Sequence, residues 1–158
     1  MLLSVFSGRT TPEMSKHWRY FILGYIWALP NTLIGLALLA TWYFPRSVAW
    51  RDGCLEVIPR RLLIGGPWVG AQTWGWVIFS RDTNQESRGD LMVHERVHVV
   101  QAFIGGPFFM LAYAVHFLYR RATMEYHRAY RGIIFEVQAY QVGDDYEAGN
   151  RPDAWGDR

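Results

Sequence analysis

The stretch DLMVHERVHVVQAF, Asp90 to Phe103, sets two histidines four residues apart at the mouth of an apolar helix. Residues four apart in a helix lie one above the other, so His94 and His98 can offer imidazole nitrogens to one ion while Glu95 points near the open coordination position. Two neutral imidazoles and a third protein ligand leave one position for water. Zinc brings that water's pKa down to about 7, and a glutamate beside it accepts the proton. With the 5 histidines and 7 glutamates of this 158-residue chain, H-E-x-x-H arises by chance on the order of once in 150 such sequences. The motif predicts a metal centre.

The third ligand decides the class of site. A metzincin would continue with Gly at 101 and His at 104; Gln101 and Ile104 stand there instead. The downstream donors are His116, Glu125, His127, Glu136, Asp144 and Asp145. Glu136 is the strongest of them. It sits among Ile133, Ile134, Phe135, Val137 and Ala139, where a carboxylate needs a cation beside it. The small Ala139, one turn on, allows close approach to the motif helix. Gln101 shares the face of His94 and His98 and is a candidate to hold an imidazole in place or to touch substrate. His127, Tyr130 and Tyr140 are candidates to stabilise an oxyanion, and Asp144-Asp145 to orient an imidazole.

Working outward, the charge-free run from Val97 to Tyr119 is interrupted by Gly105-Gly106-Pro107, which predicts two consecutive helices. Upstream, CLEVI, RLLIGG and VGAQTWGWVIF within residues 53–80 are short β-branched or aromatic runs punctuated by Gly and Pro, predicting a small sheet. Asp82, Thr83 or Asp90 could cap the helix that follows. Residues 20–44 carry no charge over 25 positions and would extend about 37 Å as helix. They are expected to form a transmembrane segment, a single helix or a hairpin kinked at Pro30, flanked by Trp, Tyr and Arg anchors. A polar leader, 1–19, precedes it, and an acidic tail, 143–158, closes the chain.

Composition agrees with a membrane setting: 51% of residues are hydrophobic, only 19% are charged, and there are eight tryptophans. A net charge of +2 with no basic stripe excludes a nucleic-acid binder. Cys54 is the single cysteine, which excludes an internal disulfide and a cysteine-rich zinc site. Three Lys/Arg lie near each end of the apolar segment, so charge gives no orientation.

HERVH followed by EVQA resembles the gluzincin type of zinc metallopeptidase, in which HExxH on one helix is completed by a Glu on a later helix. The chain is more closely similar to small bacterial membrane-associated proteins with a G-x-V-I strand, HERVHVxQ, a Gly-Pro break, an apolar helix and FExxAY. The matching residues here are Gly75 to Ile78, His94 to Gln101, Gly106-Pro107, and Phe135-Glu136 with Ala139-Tyr140. The resemblance covers about half the chain. It implies Zn2+ held by His94, His98 and Glu136, Glu95 as general base, peptide substrates, and a location in the bacterial inner membrane.

The expected fold is therefore α+β and mainly helical: an N-terminal transmembrane segment, a short β-sheet at 53–80, then a zincin-like helical unit at 90–142. The expected activity is hydrolysis of a peptide bond. The alternative is a non-catalytic accessory or structural subunit of a larger membrane complex that keeps the zincin-like fold, motivated by the aromatic excess and the small soluble portion. Membrane lipid, a peptide substrate or other complex subunits are the expected partners, and nucleic acid is not.

Overall fold

A computed structural model describes residues 22–62, 64, 69–81 and 85–147. The leader 1–19, Asp82 and Thr83, and the tail beyond 147 lie outside these residues. The fold is α+β and mainly helical, with one four-stranded mixed sheet. Residues 22–27 form α1 and Leu29–Thr41 form α2. The strands are β1 (Pro45–Arg51), β2 (Cys54–Pro59), β3 (Ala71–Trp74) and β4 (Val77–Ser80). Helices α3 (Gln85–Gly105), α4 (Phe109–Arg121), α5 (Tyr126–Arg131) and α6 (Ile134–Glu147) follow, with a 3-10 turn at Gly106–Phe108 between α3 and α4.

The strand order is β1-β2-β4-β3, with β1/β2 and β4/β3 antiparallel and β2/β4 parallel. Asp52-Gly53 closes the first hairpin with φ of 46° and 79°, the two positive angles that a type I′ turn requires. Gly75 opens the second with φ 65°. A Cβ there would stand 2.0 Å from Thr32 Oγ1, so glycine also lets α2 press onto the turn. The sheet begins earlier than residues 53–80, because β1 was not expected. Its residues are mostly exposed at a sheet edge, and PRSVAWR carries little of the apolar signal that marks a buried strand.

All four residues of β4 are buried because both faces of the sheet are covered. Val77 and Phe79 join Tyr43 and Val57 on the α2 side. Ile78 turns to the other face and meets Cys54, Met92 and Val99, the last two from α3. Burial pushes the Cys54 thiol up to about 12, so this cysteine is an inert packing residue. Arg96 bridges Asp52 (2.7 Å) and the buried Glu56 (3.1 Å), fastening α3 to the first hairpin.

Two expectations are corrected. Helix α3 starts at Gln85, so Asp90 is a helical residue and not the cap. The apolar segment 20–44 does not form an unbroken spanning helix among the described residues. Pro30 lacks a backbone donor, the regular run is interrupted at Ala28, and the chain has become strand by Pro45. It does not reverse as a hairpin either: Ala28 N donates to Gly24 O (2.8 Å) and Thr32 N to Ala28 O (3.1 Å), so α2 continues α1 across the kink. Among the described residues the one helical run long and apolar enough to cross a membrane is Leu91–Arg121, mid-chain rather than N-terminal.

The α1–α2 segment lies along the domain through its small and polar residues. Gly24, Ala28, Asn31, Thr32 and Gly35 are buried, while Leu23, Ile26, Trp27, Leu33 and Ile34 face outward. Asn31 donates to Gly106 O at 2.6 Å, giving its amide a partner on the 3-10 turn. Helix α6 packs on α3, with Glu136 and Ala139 buried on it one turn apart. The small Ala139 lets the two helices come close, and that closeness sets the site.

Candidate metal centre

Helix periodicity puts His94 and His98 on the α3 face that meets α6, and Glu136 enters between them from α6. One donor atom from each of the three lies within 4.8 Å of the others. His94 Nε2 is 3.2 Å from Glu136 Oε2, His98 Nε2 is 3.3 Å from Oε1, and the two Nε2 atoms are 3.2 Å apart. A tetrahedral ion with bonds of about 2.0–2.1 Å separates its ligand atoms by about 3.3–3.4 Å. The two imidazole nitrogens therefore already stand at nearly the spacing that a zinc-sized ion imposes, and each faces its own oxygen of Glu136 at a similar distance.

Two further features fit a cation. Glu136 Oε2 is buried without a satisfied hydrogen bond, its nearest polar neighbour being His94 Nε2 at 3.2 Å. An anionic oxygen left so in the interior is costly without a positive partner. The protonation pattern also presents lone pairs. Gln101 donates through Nε2 to Phe135 O (3.0 Å) and Gln138 Oε1 (3.1 Å), which leaves its Oε1 to accept from His98 Nδ1 at 2.8 Å. With the proton on Nδ1, His98 Nε2 is the atom that takes either a second proton or a metal.

The electrostatics follow from burial and proximity. Burial alone would raise the Glu136 carboxyl, but the adjacent His94 and His98 imidazoles and the Tyr113 phenol outweigh it and hold the acid well below the usual carboxylate range. Burial alone would lower His98; the approach of Glu136 and the charges of Glu95 and Glu136 reverse this and raise it. Glu95 itself is raised, because burial exceeds the lowering by His98, His94 and Thr73. A carboxylate with a raised pKa is the better proton acceptor for general-base chemistry.

Glu95 reaches the cleft side of α3. Thr73 of β3 donates to Glu95 Oε2 at 2.6 Å. Two cavities meet at Glu95 and Tyr130. The larger, about 420 Å³, is lined by His94, His127, Arg131, Tyr140 and Asp144 among others. The smaller, about 180 Å³, reaches His98 and Glu136 between β3 and the start of α4.

The expected site residues separate by this geometry. His94, His98, Glu136 and Gln101 come together, and Tyr140 lies with its ring 4.6 Å from that of His94. His127 and Asp144 line the larger cavity with His94 but are not among the three grouped donors. His116 is not among them: its Nδ1 accepts from the backbone N–H of Ile134 at 3.3 Å, at the start of α6. Thr73 and Tyr113 were missed. Tyr113 donates to Glu136 Oε1 at 2.6 Å, and the only hint of it in the sequence is a phenol in the apolar first half of α4.

No protein-family model matches the chain, and no curated protein or solved structure does either.

Proposed function

We propose that the chain is a membrane-associated, zinc-dependent hydrolase of peptide bonds, with His94, His98 and Glu136 as the ligands and Glu95 as the general base. The observation that carries this reading is the convergence of the two imidazole Nε2 atoms, 3.2 Å apart, on the Glu136 carboxylate, whose two oxygens lie 3.2 and 3.3 Å from them, beside a base that opens onto a cleft. Two imidazoles and a carboxylate suit zinc. When bound, the ion supplies an activated water and polarises the scissile carbonyl.

The remaining chemistry belongs to the chain. Glu95 takes the proton of the attacking water and returns it to the leaving amine, so hydroxyl ends on the carbonyl carbon and hydrogen on nitrogen as the C–N bond breaks. Thr73 holds the carboxylate of Glu95 in one orientation. Strand β3 is an edge of the sheet and lines the smaller cavity, the position from which a strand can pair with an extended peptide.

Membrane association is supported by the inside-out packing of α1–α2, where small residues face the protein and large apolar ones face out, as in helices surrounded by lipid. Trp27 meets Phe108 at 6.4 Å. The same apolar surface therefore continues onto α4, through Leu111, Val115 and Leu118, each about 60% exposed. Arg120 and Arg121 end it, as cations do at a lipid–water boundary. The cavity at His94 and Glu95 favours an enzyme over a non-catalytic subunit of a membrane complex.

Purified protein assayed for zinc and for peptide cleavage, beside Glu95→Gln, tests the proposal. Zinc in both proteins with cleavage only in wild type is the expected result. Undiminished cleavage by Glu95→Gln overturns it.

A further inference from the structure

The two ends of the first hairpin use their arginines differently. At its turn the charges are paired: Arg96 bridges Asp52 and Glu56, and Arg51 lies 3.8 Å from Glu56. At its open end Arg46, Arg60 and Arg61 are exposed and form no ion pair among the described residues. The backbone brings these three together. Pro45 pairs with Pro59 and Ser47 with Ile58, which leaves Arg46 as the extra residue of a β-bulge, and Arg60 N donates to Phe44 O at 2.9 Å. The three side chains thus leave the ends of two neighbouring strands, about 4.8 Å apart. Arg120 and Arg121, by contrast, are engaged with protein carbonyls, donating to Ala129 O and Met124 O at 3.1 Å each.

Between this cluster and the outward apolar face of α2 the chain carries two exposed aromatics. Trp42, 58% exposed, follows α2 directly, and Phe44, 67% exposed, is the residue whose carbonyl Arg60 meets. An apolar helix face, then aromatic side chains, then cations is the order met on leaving a bilayer through its headgroups. We infer that Arg46, Arg60 and Arg61 bind the phosphates of anionic phospholipids, with Trp42 and Phe44 seated at headgroup level. This rests on the membrane-associated reading above and names the lipid class held at the end of α2. With no carboxylate paired to the cluster, the ammonium of a choline headgroup meets only repulsion there. A phosphatidylglycerol headgroup presents negative charge alone, to guanidinium groups that fit phosphate oxygens two at a time. A nucleic acid offers phosphates too, but nothing to cover Leu33 and Ile34 on the outward face of the same helix.

The test is calorimetric titration of purified full-length protein in non-ionic detergent with dihexanoyl phosphatidylglycerol, dihexanoyl phosphatidylcholine, inorganic phosphate and a single-stranded oligonucleotide. The phosphatidylglycerol is expected to bind at least about 10-fold more tightly than each of the others. Arg46→Gln, Arg60→Gln and Arg61→Gln combined are expected to abolish the preference, and lysine at the same three positions to keep part of it. Arg51→Gln, on the same strand but beside Glu56, is expected to leave it intact. Circular dichroism checks that the triple variant folds; if it does not, Arg46→Gln alone decides, with an expected loss of roughly 5-fold. Equal binding of the two lipids, tighter binding of phosphate or of the oligonucleotide, or a preference unchanged in these variants overturns the site. Fractionation of cells separates this from the underlying reading. Protein that sediments with membranes and shows no lipid preference overturns the headgroup site and leaves the membrane association. A phosphatidylglycerol preference in protein that stays in the soluble fraction overturns the lipid-facing surface and leaves the headgroup site.

Discussion

Gln101 accepts a 2.8 Å hydrogen bond from Nδ1 of His98 while its own N–H groups are committed to α6, so one side chain fixes both the tautomer of a ligand and the seating of the helix that brings Glu136. Replacing Gln101 by Ala is expected to weaken zinc binding about 10- to 100-fold, the usual effect of removing a group that orients a metal-bound histidine. Gln101→Glu keeps an acceptor for Nδ1–H and retains more of the affinity. Competition with a chromophoric chelator measures both variants; equal affinities for Gln101→Ala and wild type would show that His98 is oriented by other means.

In the proposed mechanism Thr73 acts on the base and not on the ligands. Its 2.6 Å bond to Glu95 is of the charge-assisted kind that contributes about 1.5–3 kcal/mol. Thr73→Val is expected to lower kcat roughly 10- to 100-fold with zinc content unchanged, and Thr73→Ser to recover most of the loss. A drop in zinc content parallel to the drop in rate would count against this role.

Stability of the metal-free protein is expected to fall on both sides of a window. The Glu136 carboxyl is depressed in the fold, so its contribution is present above the unfolded value, about 4.3, and is lost as pH falls through the folded value. His98 is raised, so its contribution is complete below the unfolded value of about 6.5 and is lost as pH rises through the folded value. Zinc replaces the proton on His98, and the stabilisation it adds is therefore expected to grow from pH 5 to pH 8. Denaturation midpoints across this range, with and without zinc, measure it. A zinc effect independent of pH would remove His98 from the ligand set.

Much of the site was legible because helical spacing is local. His94 and His98 share a face at i, i+4, and Glu136 stood out as a charge inside an apolar helix whose Ala139 permits contact. Thr73 and Tyr113 were not legible, because each meets its partner from a residue 22 or 23 positions away on a different element. The apolar run at 20–44 was read by composition, which does not register direction. Gly24, Ala28, Asn31, Thr32 and Gly35 turn inward as a packing stripe, and a charge count is blind to it. Strand β1 escaped because an exposed edge needs little apolar alternation.

The outward apolar residues give a separate expectation. Leu111→Lys with Leu118→Lys puts two charges on the outer face of α4, where the parent residues are 61% and 64% exposed. Each charge costs about 2.5–3.5 kcal/mol at the centre of a bilayer. The double variant is expected to move from the membrane pellet to the soluble fraction with zinc content unchanged. Wild-type protein found in the soluble fraction would contradict a lipid-facing role for this surface.

X-ray absorption at the zinc edge of the purified protein, with metal quantified per chain, measures the central claim most directly. One zinc per chain is expected, with two imidazoles at about 2.0–2.1 Å and a carboxylate oxygen at about 2.0–2.2 Å. Glu136→Gln and His94→Ala are each expected to lose the ion or change that shell. A wild-type chain with no bound zinc, or an identical shell in either variant, would contradict a centre built from His94, His98 and Glu136.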